Sequence, residues 1–244
     1  MIIDYKKQLN EIYATNKVNS SLSKRIHSYV DDEPLTIEWI KSFKNNSIFY
    51  DIGSNIGGFS FIASNIKDIK VFSFEPNFEN FYICLNAVKK NQTKNIFPLN
   101  IALNNVNEFN YFKYGDTRVG SKGTFGKELK TQLLKSQYGN PFKRGISLEV
   151  GILGVSLDNL IYDFNMPIPN YIKIDVDGND LLILLGAERL LNEPNLKEIF
   201  IEIDDKIYEK NEIETLMQKY SFNVEKNINV GTDKKPMRMV LYKR

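Results

Sequence analysis

Acidic side chains follow two predicted strands in the second half of the chain. Asp175 and Asp177 come after the apolar run that begins at Tyr171, and Glu202 lies near the end of the run from 198 to 203. The carboxyl ends of parallel strands meet at one edge of a sheet, where open α/β sheets bind ligands. We therefore expect these three carboxylates to lie together, with a cation, a metal ion or a proton relieving their repulsion. They are the candidate catalytic residues, because a carboxylate can take a proton from a hydroxyl or hold a divalent cation such as Mg²⁺ that lowers the hydroxyl's pKa.

A glycine-bearing turn follows the apolar run Ile48–Tyr50 and precedes a helix-like pattern. Its candidate ligand-binding residues are Asp51, Gly53, Ser54, Asn55 and Gly57. A strand, a tight turn and a helix N-terminus bring backbone N–H groups close to a ligand, and glycine leaves room for that approach. A dinucleotide site would need a second glycine where Asn55 stands. The carboxylate of Asp51 suits the positively charged end of S-adenosylmethionine better than a pyrophosphate, so the turn predicts a site for that cofactor.

Two further segments complete the predicted cofactor site. Glu75 ends the next apolar run, about 20 residues beyond the turn, where a carboxylate can bond the two ribose hydroxyls of a nucleoside. Pro76 follows it and stops the strand. Ile101 and Ala102 come after the third strand, at the level where an adenine ring would lie. We expect Asp175 to face the methionine end of the cofactor and Asp177 to face the hydroxyl of the acceptor.

Length and composition limit the class of protein that must position these residues. A chain of 244 residues is long enough for one domain, residues 1–244, with a large core. The net charge of +2 does not favour a nucleic-acid partner. No apolar run reaches the length of a signal peptide or a membrane span, so we expect a cytoplasmic protein. The single cysteine, Cys84, lies in an apolar pattern typical of a buried position.

The chain order is that of an α/β fold with two additions. Residues 1–45 show a helical pattern, and these helices either pack beside the main sheet or contact a partner, which leaves a homo-oligomer open. Residues 104–155 interrupt the alternation of strands and helices, and this insertion is placed to cover the acceptor site. Between Tyr111 and Ser147 it carries eight bases and two acids, which suits an anionic acceptor or a solvated loop equally well.

With these residues identified, the chain resembles the FkbM family of S-adenosylmethionine-dependent methyltransferases. The matching segments are Phe49–Gly57, Phe74–Asn77 with Asn80, Ile101–Leu103, Ser156–Leu160, and Ile172–Gly178 with Leu184, Gly186 and Ala187. The family usually has alanine where Ser54 stands. It often has histidine shortly after the acid matching Glu202, and this chain has none there, so a histidine-based mechanism is not carried over.

The resemblance implies a class I methyltransferase fold, which is Rossmann-like. It consists of a mostly parallel seven-stranded sheet with helices on both faces and a C-terminal antiparallel strand. It also implies O-methylation of a small molecule or sugar, such as a nucleotide-activated sugar or a unit of a surface polysaccharide. Two alternatives stay open: an NAD-dependent oxidoreductase, which the glycine pattern disfavours, and a non-catalytic module that binds the cofactor only.

Overall fold

The computed structural model describes residues 3–14, 20–114, 120, 123–126, 148–208, 211–232 and 236–244. The helices are α1 (Tyr5–Tyr13), α2 (Ser20–Asp31), α3 (Pro34–Lys41), α4 (Gly58–Ala63), α5 (Phe78–Lys90), α6 (Leu157–Tyr162), α7 (Asp180–Leu185) and α8 (Glu212–Lys219), with a 3₁₀ turn at Leu190–Asn192. The strands are β1 (Ile48–Ile52), β2 (Lys70–Phe74), β3 (Ile96–Leu99), β4 (Ala102–Leu103), β5 (Glu108–Tyr114), β6 (Gly123–Phe125), β7 (Glu149–Val155), β8 (Tyr171–Ile174), β9 (Glu198–Asp204), β10 (Asn223–Asn229) and β11 (Met237–Lys243).

The main sheet has seven strands in the order β10-β11-β9-β8-β1-β2-β3. Neighbouring strands from β9 to β3 are parallel, whereas β11 runs antiparallel to both β9 and β10. The predicted mostly parallel sheet with a C-terminal antiparallel strand is confirmed. The order of the strands reverses beside β1, and the ligand edge of an open α/β sheet lies at such a reversal.

Both faces of this sheet are covered, so its central strands are apolar on both sides. In β1, Phe49 belongs to the core on one face and the neighbouring Tyr50 to the core on the other, because successive side chains point to opposite faces. The N-terminal helices α1–α3 pack on the Phe49 face, where the Trp39 indole N–H donates to Glu198 Oε2 at 2.7 Å. Helices α6–α8 cover the other face.

A second sheet has four strands in the order β4-β7-β5-β6, of which β5, β6 and β7 lie in the predicted insertion at 104–155 and β4 just before it. Strand β5 pairs antiparallel with both β6 and β7. Of the eight bases predicted to favour an anionic acceptor, only Lys113 lies among the described residues, and it is 3.4 Å from a Glu149 carboxylate oxygen. The other seven lie outside the described residues: Arg118, Lys122, Lys127, Lys130, Lys135, Lys143 and Arg144. The effect of these charges stays a prediction.

Local sequence signals start several of these helices. The side chain of Asn77 accepts a hydrogen bond from the Asn80 N–H at the start of α5, and Ser156 accepts one from the Asn159 N–H at the start of α6. Within the described ranges, none of the helices is long and apolar enough to cross a lipid bilayer.

Candidate functional site

A cleft opens at the carboxyl ends of β1, β2 and β8. The empty space within it is about 690 Å³, which includes space open to solvent. The structure brings eight of the predicted site residues into its lining: Gly53, Asn55, Glu75, Pro76, Ile101, Ala102, Asp175 and Asp177. The turn after β1, the end of β2 and the loop after β8 therefore meet at one place, although 124 positions separate the first and last of these residues, Gly53 and Asp177 (177 − 53 = 124).

Glycine is required at two positions of the turn for packing, whereas the prediction was that it leaves room for a ligand. Gly53 has φ +74°, and a Cβ there would lie 2.0 Å from the Asp175 carbonyl oxygen. Gly57 has φ +87°, and a Cβ there would lie 2.5 Å from Cys84 Sγ. Both positions therefore require glycine for the packing of the turn on its neighbours, independently of any ligand. The buried position of Cys84 is confirmed.

Three of the predicted cofactor residues, Asp51, Ser54 and Gly57, do not line the cleft. Asp51 is fully buried and accepts a hydrogen bond from the Ser60 hydroxyl, and burial raises the pKa of its carboxyl group. Its Oδ1 has no hydrogen-bond partner among the described residues. Ser54 is 3% exposed, and Gly57 is the N-cap of α4. Direct contacts of these residues with a cofactor stay predictions.

Glu75 is held at the cleft by the backbone of two neighbouring turns. Its Oε2 accepts from the Asn55 N–H and its Oε1 from the Asn77 N–H, both at 2.8 Å. Burial raises the pKa of Glu75 to about 7, although these two N–H groups lower it. Each carboxylate oxygen has a second lone pair and can accept a further hydrogen bond from a hydroxyl.

An apolar surface lines the cleft beside Glu75. It consists of Ile101, Ala102 and Leu103 with Phe112 and Phe125, and Ala102 packs with the two phenylalanines in one buried cluster. A flat aromatic ligand group can stack on such a surface. The two phenylalanines were not predicted as site residues, because only the pairing of β5 with β6, at Phe112 and Phe125, brings them together.

The acids at the sheet edge form a cluster that includes one unpredicted member. Strands β8 and β9 pair Ile174 with Ile201, so Asp175 and Glu202 follow side by side. Glu33, which precedes α3, joins them, and one carboxylate oxygen of each of the three lies within 4.8 Å of the others. Their donor type suits a divalent cation.

A buried lysine already balances part of this charge. Lys173 Nζ lies 2.7 Å from Asp175 Oδ2, and the lysine side chain is 3% exposed. Burial alone would lower the pKa of Lys173, but Asp175, Glu33 and Asp51 raise it above its usual value, so the ammonium stays charged. Burial also raises the pKa of Glu33, and Lys173 opposes that shift.

Asp177 lies between the cleft and a second, smaller groove. The groove shares Val176 and Asp177 with the cleft. Four carboxylates line it: Asp177, Asp180, Glu202 and Asp204. The structure therefore places two of the predicted catalytic acids, Asp177 and Glu202, at the groove, and Asp177 and Asp175 at the cleft.

Two charged residues near the site, Arg25 and Glu33, gave no sequence signal. Arg25 lines the cleft from α2, and Glu33 joins the acid cluster. Both lie in the N-terminal helical segment, which carries none of the motifs, so only the packing of that segment on the sheet could show their position.

Comparison with known proteins supports one family. The sequence model of the methyltransferase FkbM domain matches residues 51–224. The chain is 24% identical over 172 residues to the hexuronic acid methyltransferase AglP of Haloferax volcanii, and the alignment covers 68% of the chain and 62% of that relative. The chain therefore spans less than two thirds of the length of this curated relative.

Solved structures show the same fold at low sequence identity. The methyltransferase FkbM of Methylobacillus flagellatus superposes with a TM-score of 0.54 and 15% identity, covering 99% of the chain and 56% of that protein. The precorrin-6y C5,15-methyltransferase of Geobacter metallireducens gives a TM-score of 0.50 and 14% identity, covering 94% of the chain and 92% of that protein. These likenesses establish a class I S-adenosylmethionine methyltransferase fold.

Proposed function

The chain belongs to the FkbM family of S-adenosylmethionine-dependent methyltransferases, and on this premise we propose that it methylates a hydroxyl oxygen of a sugar. The observation that carries the proposal is the acid-lined groove that shares Asp177 with the cleft. Carboxylates only accept hydrogen bonds, and sugar hydroxyls donate them. The similarity to a hexuronic acid methyltransferase supports the same class of acceptor. The family membership disfavours the NAD-dependent oxidoreductase.

The cleft is the proposed site of S-adenosylmethionine. The apolar surface formed by Ile101–Leu103, Phe112 and Phe125 would hold the adenine ring, and Glu75 would accept from the ribose hydroxyls. Asp175 faces the cleft from the end of β8 and would attract the ammonium of the methionyl end. When bound, this cofactor supplies a methyl carbon made electrophilic by its sulfonium, and S-adenosylhomocysteine is the product.

Asp177 is the proposed general base, because it alone among the three predicted catalytic acids lines both the cleft and the groove. Its carboxylate would take the proton of the acceptor hydroxyl as the new O–C bond forms. Asp175 is less suited to this role, since its Oδ2 is held by Lys173. Glu202 would orient the acceptor from the groove. Aligning the hydroxyl with the methyl carbon contributes much of the rate.

The acceptor's own charge is a separate part of the proposal. A uronic acid in the groove would meet four carboxylates, so its acid group would have to point away from them. The bases of the insertion, most of which lie outside the described residues, would receive that group. We propose an anionic sugar bound in this orientation, with its hydroxyl toward Asp177.

Lys173 is the proposed cation of the acid cluster, in place of a divalent metal. A buried ammonium 2.7 Å from Asp175 supplies the compensation that the clustered carboxylates need. A divalent cation at Glu33, Asp175 and Glu202 is the alternative that their donor type allows.

The proposal is tested by incubating the protein with S-adenosylmethionine and a panel of nucleotide-activated sugars, with uronic acids beside their neutral counterparts. We expect S-adenosylhomocysteine to form together with a sugar product one methyl group heavier, and fragmentation to place that methyl on oxygen. Methyl transfer to a nitrogen or carbon, or to no member of the panel, would contradict the sugar O-methyltransferase. Binding of the cofactor without turnover on any acceptor would favour the non-catalytic module.

The same assay tests the role of Asp177. Asp177→Asn should lower kcat by about 10²–10⁴-fold, the usual contribution of a general base, and leave the Kd for S-adenosylmethionine nearly unchanged. Asp205→Asn, at an exposed acid that follows β9 and pairs with Arg238, is the control and should keep kcat. Activity that survives EDTA supports Lys173 as the cation, whereas activity lost and then restored by Mg²⁺ would replace it with a metal ion.

A further inference from the structure

A half-buried arginine of the N-terminal helices lines the cleft beside the glycine turn. Arg25 lies in α2, outside the residues 51–224 that the family match covers. Its guanidinium carbon lies 4.6 Å from the centre of the Tyr29 ring. On its other side it packs against Gly120, where a Cβ would come within 3.2 Å of Arg25 Cγ. These two contacts hold the side chain along one path to the cleft.

The guanidinium has more hydrogen-bond donors than protein partners. It carries five N–H groups in a planar fork. Nη1 lies 3.5 Å from the Ser28 hydroxyl, the Tyr29 side chain is a further hydrogen-bond partner, and Nε has no hydrogen-bond partner within the described part of the chain. Arg25 also forms no ion pair with a carboxylate of the described residues, although the charges of Asp175 and Glu33 act on it. A half-buried guanidinium with unused donors can bind an anionic ligand group through charge-assisted hydrogen bonds.

The cofactor brings one such group to the cleft. The methionyl end of S-adenosylmethionine carries a carboxylate and an ammonium on the same carbon. Arg25 and Asp175 line the cleft together, so a cation and an anion face the two ends of that zwitterion. An arginine fork matches a carboxylate with two parallel hydrogen bonds.

We propose that Arg25 binds the methionyl carboxylate of S-adenosylmethionine, so that the N-terminal helices supply a cofactor ligand. The inference rests on the proposed cofactor site. A carboxylate on the acceptor is the other source of the same chemistry. Arg25 lines the cleft with Gly53 and Asn55 but not the acid-lined groove, so the cofactor is the source that the structure favours.

The test compares ligands that differ in this one group. Calorimetry on the cofactor-free protein measures the Kd for S-adenosylhomocysteine and for its decarboxylated analogue, which keeps the ammonium. Arg25→Met should weaken S-adenosylhomocysteine about 10- to 100-fold, the loss expected for a charged hydrogen bond, and change the analogue less than twofold. Arg25→Lys, which keeps the charge without the fork, should lose less. Lys24→Met, at an exposed neighbour in α2, is the matched control and should change neither Kd.

A third ligand, 5′-methylthioadenosine, lacks the whole amino-acid end. Its binding therefore distinguishes a damaged cleft from the loss of a contact with the methionyl carboxylate. A variant that binds 5′-methylthioadenosine as the wild type does has kept its cleft. If Arg25→Met fails this check, the comparison is made with Arg25→Lys instead. Equal losses for S-adenosylhomocysteine and the decarboxylated analogue in a folded variant would overturn the inference. So would an unchanged Kd for S-adenosylhomocysteine with a raised KM for a uronic-acid acceptor, since the carboxylate would then be the acceptor's. A wild type that binds neither S-adenosylhomocysteine nor 5′-methylthioadenosine would instead contradict the proposed cofactor site.

Discussion

Glu75 holds two turns together and is also the proposed partner of the ribose hydroxyls. Its carboxylate joins the turn after β1 to the turn before α5 through the N–H groups of Asn55 and Asn77. It is 6% exposed, and burial disfavours its charged form more than the two N–H groups favour it. The protein without cofactor therefore keeps a carboxyl group whose ionisation costs stability.

This cost predicts a pH dependence that belongs to Glu75. The pKa rises from 4.5 to about 7 on folding, so between these values the folded state binds more protons than the unfolded state, and stability falls as pH rises. The loss is on the order of 3 kcal/mol when complete. Glu75→Gln abolishes the titration but gives up one N–H bond at every pH, at a cost of about 1–3 kcal/mol. The variant should therefore be the less stable protein at pH 5, and the difference should shrink or reverse by pH 8.

Urea unfolding of the cofactor-free proteins at pH 5 and pH 8 measures both free energies. Glu11→Gln, on an exposed side chain of α1, controls for the removal of one negative charge. A difference between wild type and Glu75→Gln that is the same at both pH values would contradict the assignment of this titration to Glu75.

At the scale of elements, the close packing of α2 on α4 places the N-terminal helices beside the cleft. Gly58 is the first residue of α4, and a Cβ there would lie 2.3 Å from two ring atoms of Tyr29 in α2. The Tyr29 hydroxyl also donates to the Ser54 carbonyl oxygen at 3.4 Å. The Tyr29 ring therefore fills the space that the missing side chain of Gly58 leaves. Arg25, one turn earlier in the same helix, lines the cleft.

The effect of Gly58→Ala on the free energy of unfolding should therefore depend on whether Tyr29 is present. Alanine is about 1 kcal/mol better than glycine inside a helix, but here its methyl would displace a buried ring, at a cost of about 1–3 kcal/mol. We expect a net loss of unfolding free energy in the wild type and a neutral or favourable effect in a Tyr29→Ala background, measured by urea unfolding in a double-mutant cycle. Gly53→Ala, which collides with the Asp175 backbone instead, should destabilise both backgrounds. The same loss from Gly58→Ala in both backgrounds would show that Tyr29 is not the obstacle.

The elements also show which kinds of contact a sequence can predict. Gly53 and Asn55 of the turn, Glu75 and the acids after β8 meet at one cleft, because strand, turn and helix signals are local and parallel strands bring their carboxyl ends to one edge. Asp51, Ser54 and Gly57 of the same turn do not line the cleft, and the ligand roles of all these residues stay predictions. The reason for Gly57 was not predictable, since its neighbour Cys84 comes from a helix 27 positions away (84 − 57 = 27). Arg25 and Glu33 were missed for the same reason. The spacing of apolar residues along a helix shows which face is buried, but it does not show which polar residue of that helix lines a cleft.

At the scale of the whole molecule, the N-terminal helices are part of the core although the family match begins after them. Their apolar side chains form one cluster with Phe49 of β1, Phe200 of β9 and Leu241 of β11. Without α1–α3 the sheet would expose the part of this face that α4 and α5 do not cover. The segment outside the family match therefore supports both the fold and, through Arg25, the proposed cofactor site.

Trp39 can report whether the N-terminal helices are docked on the sheet. It is the only tryptophan of the chain and lies in α3 against the sheet. Its indole is 5% exposed, packs on Phe43, Phe49 and Phe200, and donates to Glu198. Tryptophan fluorescence thus reports the docking of the N-terminal helices, whereas far-UV circular dichroism reports the whole fold. If the helices share one core with the sheet, the two signals should follow the same urea transition.

We expect coincident midpoints for the two signals in the cofactor-free protein, and an equal shift of both to higher urea when S-adenosylhomocysteine is added. The shift follows because a ligand that binds only the folded state stabilises it by RT ln(1 + [L]/Kd), which is about 2.7 kcal/mol at 100 times Kd. Arg25→Met should keep the coincidence but lose part of the shift at the same ligand concentration, since it weakens the Kd without removing any contact of Trp39. A fluorescence transition that precedes the loss of circular dichroism would show that α1–α3 undock from an otherwise folded sheet. A ligand that moves only the second transition would then place the cofactor on the sheet alone, without the N-terminal helices.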